Sequence, residues 1–108
     1  GSNILLTKDY EGIVVHNNLK GIELIKEDDT SVYVKVAAGE VWHDFVMHAI
    51  DKAWAGVENL SLIPGRIGAS PMQNIGAYGV EVKDFIEKVT AINIKKQSQN
   101  ITKYNVND

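Results

Sequence analysis

The chain has 108 residues, 44% of them hydrophobic, and a formal net charge of −3. That length fits one domain with a modest core, and the mild acidity gives no basic surface for nucleic acid or an anionic membrane. The absence of cysteine excludes disulfides and thiolate metal sites, and no apolar run is long enough to span a bilayer. The sequence opens on Gly-Ser-Asn without an initiating Met, which reads either as a scar before native sequence or as a segment cut from something larger. The lack of cysteine suits a cytoplasmic protein, and the missing leader says little because the sequence starts abruptly.

In chain order, the first apolar run is Ile4 to Leu6, followed by a polar turn over 7–12. The β-branched run Ile13 to Val15 predicts a second strand. The stretch 21–39 reads as a hairpin turning at 28–31, with Val32, Val34 and Val36 on one face and Tyr33 and Lys35 on the other. The period then changes. Val41, Trp42, Phe45, Val46, Ala49 and Ile50 recur at helical spacing, with Gly39 turning the chain in and Glu40 suited to the helix start. After a glycine-rich span, 85–95 predicts a strand with Ile86, Thr90, Ile92 and Ile94 on one parity. A turn at 97–100 and a last strand at 101–106 follow, and 105–108 would begin a further helix. The class is α+β: a mixed sheet with one main helix.

The span "IPGRIGASPMQNIGAYG" (63–79) holds four of the nine glycines, both prolines, one base (Arg66) and no acid. Glycines allow positive φ and close ligand approach, and successive amides in such turns converge on anions. Ser70-Pro71-Met72-Gln73 reads as a helix start with Ser70 as N-cap, Pro71 at the first helical position and Gln73 closing a capping box. Ile63, Ile67, Met72 and Ile75 are suited to wall a flat heteroaromatic ring, with Asn74, Tyr78 and backbone amides as directional partners. The bland reading is an ordinary Gly-Pro loop packed on a core. The span is neither a GxGxxG dinucleotide fingerprint nor a P-loop.

The string over 58–84, with "GSNILLTKDYEGIVVHN" before it and "VAAGEVWHDFV" between them, resembles the UDP-N-acetylenolpyruvoylglucosamine reductase (MurB) family along essentially the whole chain. The resemblance implies the FAD-binding domain of the vanillyl-alcohol-oxidase/MurB type, with 1–108 as a single partial FAD-binding domain lacking the substrate-binding domain. It implies that NADPH is the reductant and that flavin hydride goes to the enolpyruvyl group of a UDP-sugar substrate in peptidoglycan synthesis, in a bacterial cytoplasm. Carried over, Gly1, Ser2 and Asn3 would end a first pyrophosphate loop. Ile63, Pro64 and Gly65 would lie against the flavin. Gly68, Ala69 and Ser70 would supply amides and a hydroxyl near the phosphates, and Met72, Gln73, Asn74, Ile75 and Gly76 would continue that contact. Tyr78 would face the nicotinamide and substrate side; Arg66 has no role in this reading.

The family's catalytic Gly-Tyr-Arg motif, proton-donating serine and late glutamate have no counterpart here, so no catalytic residue is assigned and the chain alone is expected to be inactive, with weak or no FAD binding. His43 and His48, five apart, do not share a helix face for a metal, and no metal site is expected. His16 stands alone. The adjacent acids Asp28 and Asp29 belong to a turn, and Lys95 and Lys96 are ordinary surface charge. The alternatives are a stand-alone binding module of the same fold and another flavin oxidase of the superfold. Open sheet edges predict self-association.

Overall fold

The computed structural model describes residues 2–94 and 101–105. Its centre is helix α1, Trp42–Asp51, formed where the sequence places apolar residues at helical spacing. Trp42, Phe45, Val46 and Ala49 are buried on one face of it. They meet Leu60, Ile75 and Val82 from the following loops, with Ile22, Val34, Val36, Ile63 and Ile67 packed around them. The Trp42 indole N–H donates to the Leu60 carbonyl at 2.7 Å, so the one polar atom of this core tryptophan is satisfied. α1 ends in a Schellman motif: Trp54 N–H donates to Ala49 O and Ala53 N–H to Ile50 O, with Ala53 left-handed at φ 58°.

The hairpin at 21–39 forms as β1 (Ile22–Glu27) and β2 (Val32–Val36), antiparallel, with a bulge at Ile25 between the Leu24–Val34 and Lys26–Tyr33 pairs. Val34 and Val36 turn to the core, as the alternation predicts. Asp28 closes the turn, its Oδ1 accepting from the Thr30 and Ser31 amides at 2.9 and 2.8 Å. A short helix α2 (Ser70–Gln73) leads into β3 (Gly76–Ala77) and β4 (Val80–Glu81), joined by the two-residue turn Tyr78-Gly79. β5 (Lys88–Ile92) pairs antiparallel with β6 (Ile101–Asn105).

Three sequence expectations differ from this. The runs 4–6 and 13–15 are not strands; Ile4, Leu5, Leu6, Ile13, Val14 and Val15 are all exposed. A β-branched run becomes a strand only beside an edge that accepts it, and none of the described edges does. The described strands make three separate antiparallel pairs rather than one mixed sheet. The strand expected over 85–95 forms only as Lys88–Ile92, so Ile86 reaches the core from outside it, while Thr90, Ile92 and Ile94 share an exposed face and Val89 and Ala91 are half-buried. The expected turn at 97–100, Lys95 and Lys96, and residues 106–108 of the helix start expected at 105–108 lie outside the described residues, while Asn105 ends β6 instead. The α+β class itself is what the structure shows.

Candidate functional site

The glycine-rich span is stitched to the turn that precedes α1. Trp42 N–H donates to Gly65 O at 3.0 Å, Ile67 N–H to Glu40 O at 2.9 Å and Gly68 N–H to Ala38 O at 2.9 Å. The last contact needs a glycine: a Cβ at Gly68 would stand 2.9 Å from the Ala38 Cβ. Gly39 has the same constraint on the other side, where a Cβ would meet Leu19 backbone at 2.5 Å. Thus the span lies against 38–40, and 38–40 against 18–19.

From Leu62, just before the span, to Tyr78 within it, the backbone is driven into left-handed conformations at non-glycine positions. Leu62 has φ 61°, Asn74 φ 42° and Tyr78 φ 53°. Bulky residues held there cost of the order of 1–2 kcal/mol each, and such strain concentrates where a ligand is clamped. His43 on α1 holds Leu62, its Nδ1 accepting the Leu62 amide at 3.1 Å. Three large apolar side chains of the span are almost fully exposed: Leu62 at 79%, Met72 at 86% and Tyr78 at 90%. Space is open where Gly65 and Gly79 would carry a Cβ, and Gly65 N–H has no described backbone or side-chain acceptor.

The residues expected at the phosphates behave differently. Gly68, Ala69 and Ser70 donate their amides to Ala38, Arg66 and Ile67 carbonyls. The Ser70 hydroxyl donates to Ile67 O at 2.8 Å, and Ser70 is buried. Successive tight turns over 66–74 consume these donors, so the anion-facing amides read from the sequence are engaged internally here. Ser70 is not an N-cap but the first helical residue, at φ −60°, ψ −42°, with Ala69 before it. Pro71 takes the second position, and Gln73 ends the helix without a capping box. The hydroxyl that caps from a β-region Ncap is here turned back to its own preceding turn.

Ile75 is buried in the core cluster. Asn74 is the left-handed cap of α2, and its Oδ1 accepts from Lys83 N–H at 3.3 Å. Ile63 and Ile67 are partly buried against the core, while Gln73 and Gly76 are exposed. Ser2 and Asn3 form an exposed turn; Gly1 lies outside the described residues. Beside the β3–β4 turn is a wide solvent-open hollow lined by Asn74, Gly76, Ala77, Gly79 and Glu81 among others. Lys83 and then Asn74, bonded to Glu81, hold its carboxyl below the usual carboxylate range, and Glu81 in turn raises the Lys83 ammonium.

For a dinucleotide flavin, these features fit the ring side better than the phosphate side. Exposed apolar residues, a backbone that leaves room over two glycines and a free Gly65 amide suit a planar ring and its edge. The amides of 68–70 do not offer themselves to a diphosphate. Among the described residues, no group of His, Asp and Glu is arranged to hold a metal ion.

Residues 1–96 match the family profile described as "FAD binding domain". The chain belongs to this FAD-binding family. It is also similar to curated proteins named UDP-N-acetylenolpyruvoylglucosamine reductase. It is 57% identical to the one from Bacteroides fragilis over 88% of this chain and 29% of the relative. With the one from Flavobacterium johnsoniae the identity is 58%, over 90% of this chain and 29% of the relative. With that of Chromobacterium violaceum it is 55%, over 94% and 30%. The chain therefore spans under a third of the length of these relatives. Two contacts of this FAD-binding domain escaped the sequence reading: His43 holding Leu62, and Arg66 spanning to Gly39 and Asn18. The signal for the second is the sole arginine of the chain standing in a loop with no acid beside it.

Proposed function

We propose that this chain is the FAD-binding portion of an NADPH-dependent reductase that converts UDP-N-acetylglucosamine enolpyruvate to UDP-N-acetylmuramate for bacterial peptidoglycan, with the substrate-binding domain supplied outside residues 1–108. The observation that carries this is the 57% identity to a reductase of that name across 88% of the chain, coinciding with a family match to FAD binding. The strained, exposed loop at 62–79 supports the same reading. The fold would be of the vanillyl-alcohol-oxidase/MurB type.

When bound, FAD supplies hydride chemistry between NADPH and the enolpyruvyl carbon. The chain's own part is to bind and orient. Ile63, Pro64 and Gly65 would lie against the ring, with Met72 and Tyr78 covering it from water and Tyr78 toward the nicotinamide and substrate. Gly1, Ser2 and Asn3 would end the first diphosphate loop. Gly68, Ala69 and Ser70 would shape the second by close approach rather than by donated amides, and Gln73, Asn74, Ile75 and Gly76 would hold its far wall.

Addition of hydride to an enolpyruvyl carbon develops negative charge that preorganised donors must stabilise and an acid must quench. The resemblance assigns no residue of this chain to that task. The 108 residues supplied with FAD, NADPH and substrate should therefore oxidise no NADPH above background, and gel filtration should strip the flavin. Turnover at ordinary enzyme rates would overturn the division of labour proposed here. Flavin retained through gel filtration would overturn the expectation of weak binding by this chain alone.

A further inference from the structure

Arg66 is held by one nitrogen only. Its Nη1 donates to Gly39 O and, at 3.2 Å, to Asn18 Oδ1. A guanidinium carries five N–H groups in a fixed fork, and Nη1 accounts for two of them. The Nε–Nη2 edge has no described acceptor, although Arg66 is only half-exposed. Lys20 Nζ donates to the same Gly39 oxygen at 2.9 Å, so two cations stand beside one neutral carbonyl. The carboxylate nearby, Glu40, lies 3.9 Å from Lys20 and already accepts the Gly21 amide at 2.8 Å. Two positive charges thus face one negative charge. The fork is clamped in place, so its free edge is oriented before any ligand arrives.

We propose that Arg66, pinned through Nη1 and backed by Lys20, is a phosphate-binding residue that takes a diphosphate group on its free Nε–Nη2 edge. An oxyanion received there makes two parallel charge-assisted hydrogen bonds and relieves the repulsion between the two cations. This places the phosphate-recognising charge of the loop on a side chain, in a segment whose amides at 68–70 are spent internally. The ligand's identity as FAD rests on the function proposed above; the anion site itself does not.

The test uses the 108-residue chain with inorganic pyrophosphate as probe, following the Arg66 Nε–H resonance and backbone amides by NMR. Saturable shifts at Arg66 and Lys20 are expected. Arg66→Gln should weaken pyrophosphate binding by roughly tenfold or more, the loss of a charge-assisted pair. Arg66→Lys should restore part of it, and Lys20→Gln should weaken it by a smaller factor. The Trp42 indole resonance reports whether each variant keeps its core. If Arg66→Gln fails to fold, the wild-type Nε–H titration and Lys20→Gln carry the decision. No saturable shift at Arg66, or wild-type affinity in a folded Arg66→Gln, overturns the proposal. Parallel titrations with FAD and riboflavin separate it from the cofactor reading. Arg66-dependent pyrophosphate binding without FAD binding keeps the anion site and removes FAD as its ligand in this chain alone. FAD binding that Arg66→Gln leaves unchanged, while pyrophosphate binding falls, keeps the anion site and overturns its assignment to the flavin diphosphate.

Discussion

Tyr78 joins two properties that a purely structural position would not combine. It is 90% exposed and sits left-handed at φ 53°, followed by Gly79 at φ 77°. A two-residue hairpin turn with both central residues at positive φ favours Asn-Gly above nearly any other pair. Tyr78→Asn should therefore stabilise the domain by about 0.5–1 kcal/mol, seen as a rise of several degrees in Tm. In the longer reductase proposed above the same change should lower activity, because the exposed ring is assigned to the ligand. A fall in Tm would mean that the phenol packs in solution. The resemblance marked Tyr78 as an expected site residue; its strain was not legible, since a single letter does not reveal a φ angle. The same is true of Leu62, whose placement by His43 joins residues 19 apart in sequence.

At the level of elements, α1 and the β1–β2 hairpin were readable because each has a strict period over a continuous stretch. α1 ends less favourably than it begins. Its Schellman motif puts Ala53, not glycine, in the left-handed position. Ala53→Gly should stabilise by about 1 kcal/mol by removing the Cβ clash, measured by urea unfolding; an unchanged or lower midpoint would show that the motif is not formed. The β1–β2 turn gives a pH signature. Backbone donation from Thr30 and then Ser31 holds the Asp28 carboxyl below its ordinary value of 3.8. A depressed folded-state value means a contribution to stability that is present above 3.8 and is lost as pH falls through the lower, folded-state value. Asp28→Ala should thus be less stable than wild type near neutrality, and the gap should close in acid. A gap that is independent of pH would contradict the bonding. What the sequence misread at this level was partnership. The β-branched run 13–15 reads as a strand, and the shared parity of Ile92 and Ile94 does not say whether their face is covered; both depend on segments far away in the chain. α2 was misread for a different reason: Ser-Pro-x-Gln is a capping pattern, but the chain enters it already turning, so Ser70 has no β-region backbone from which to cap.

For the molecule as a whole, the Cα radius of gyration is 15.4 Å, above the roughly 13 Å of a compact domain of this length. The excess matches what is uncovered. The described ribbons are two-stranded with open edges, and the apolar side chains of 4–6, 13–15, Ile92 and Ile94 face solvent. Isolated two-stranded ribbons are marginal, and open edges template pairing with another copy. The chain should therefore associate with itself as concentration rises, visible as a growing mass by light scattering. A monomer mass at high concentration would count against this.

The account rests on the loop at 62–79 being the face that meets the flavin. The most direct measurement is an NMR titration of the chain with FAD, carried to concentrations high enough to register weak binding. Saturable shifts should centre on Leu62, Gly65, Arg66, Met72, Tyr78 and Gly79, with riboflavin reproducing those at Gly65, Met72 and Tyr78. Saturable shifts confined to other surfaces would contradict it.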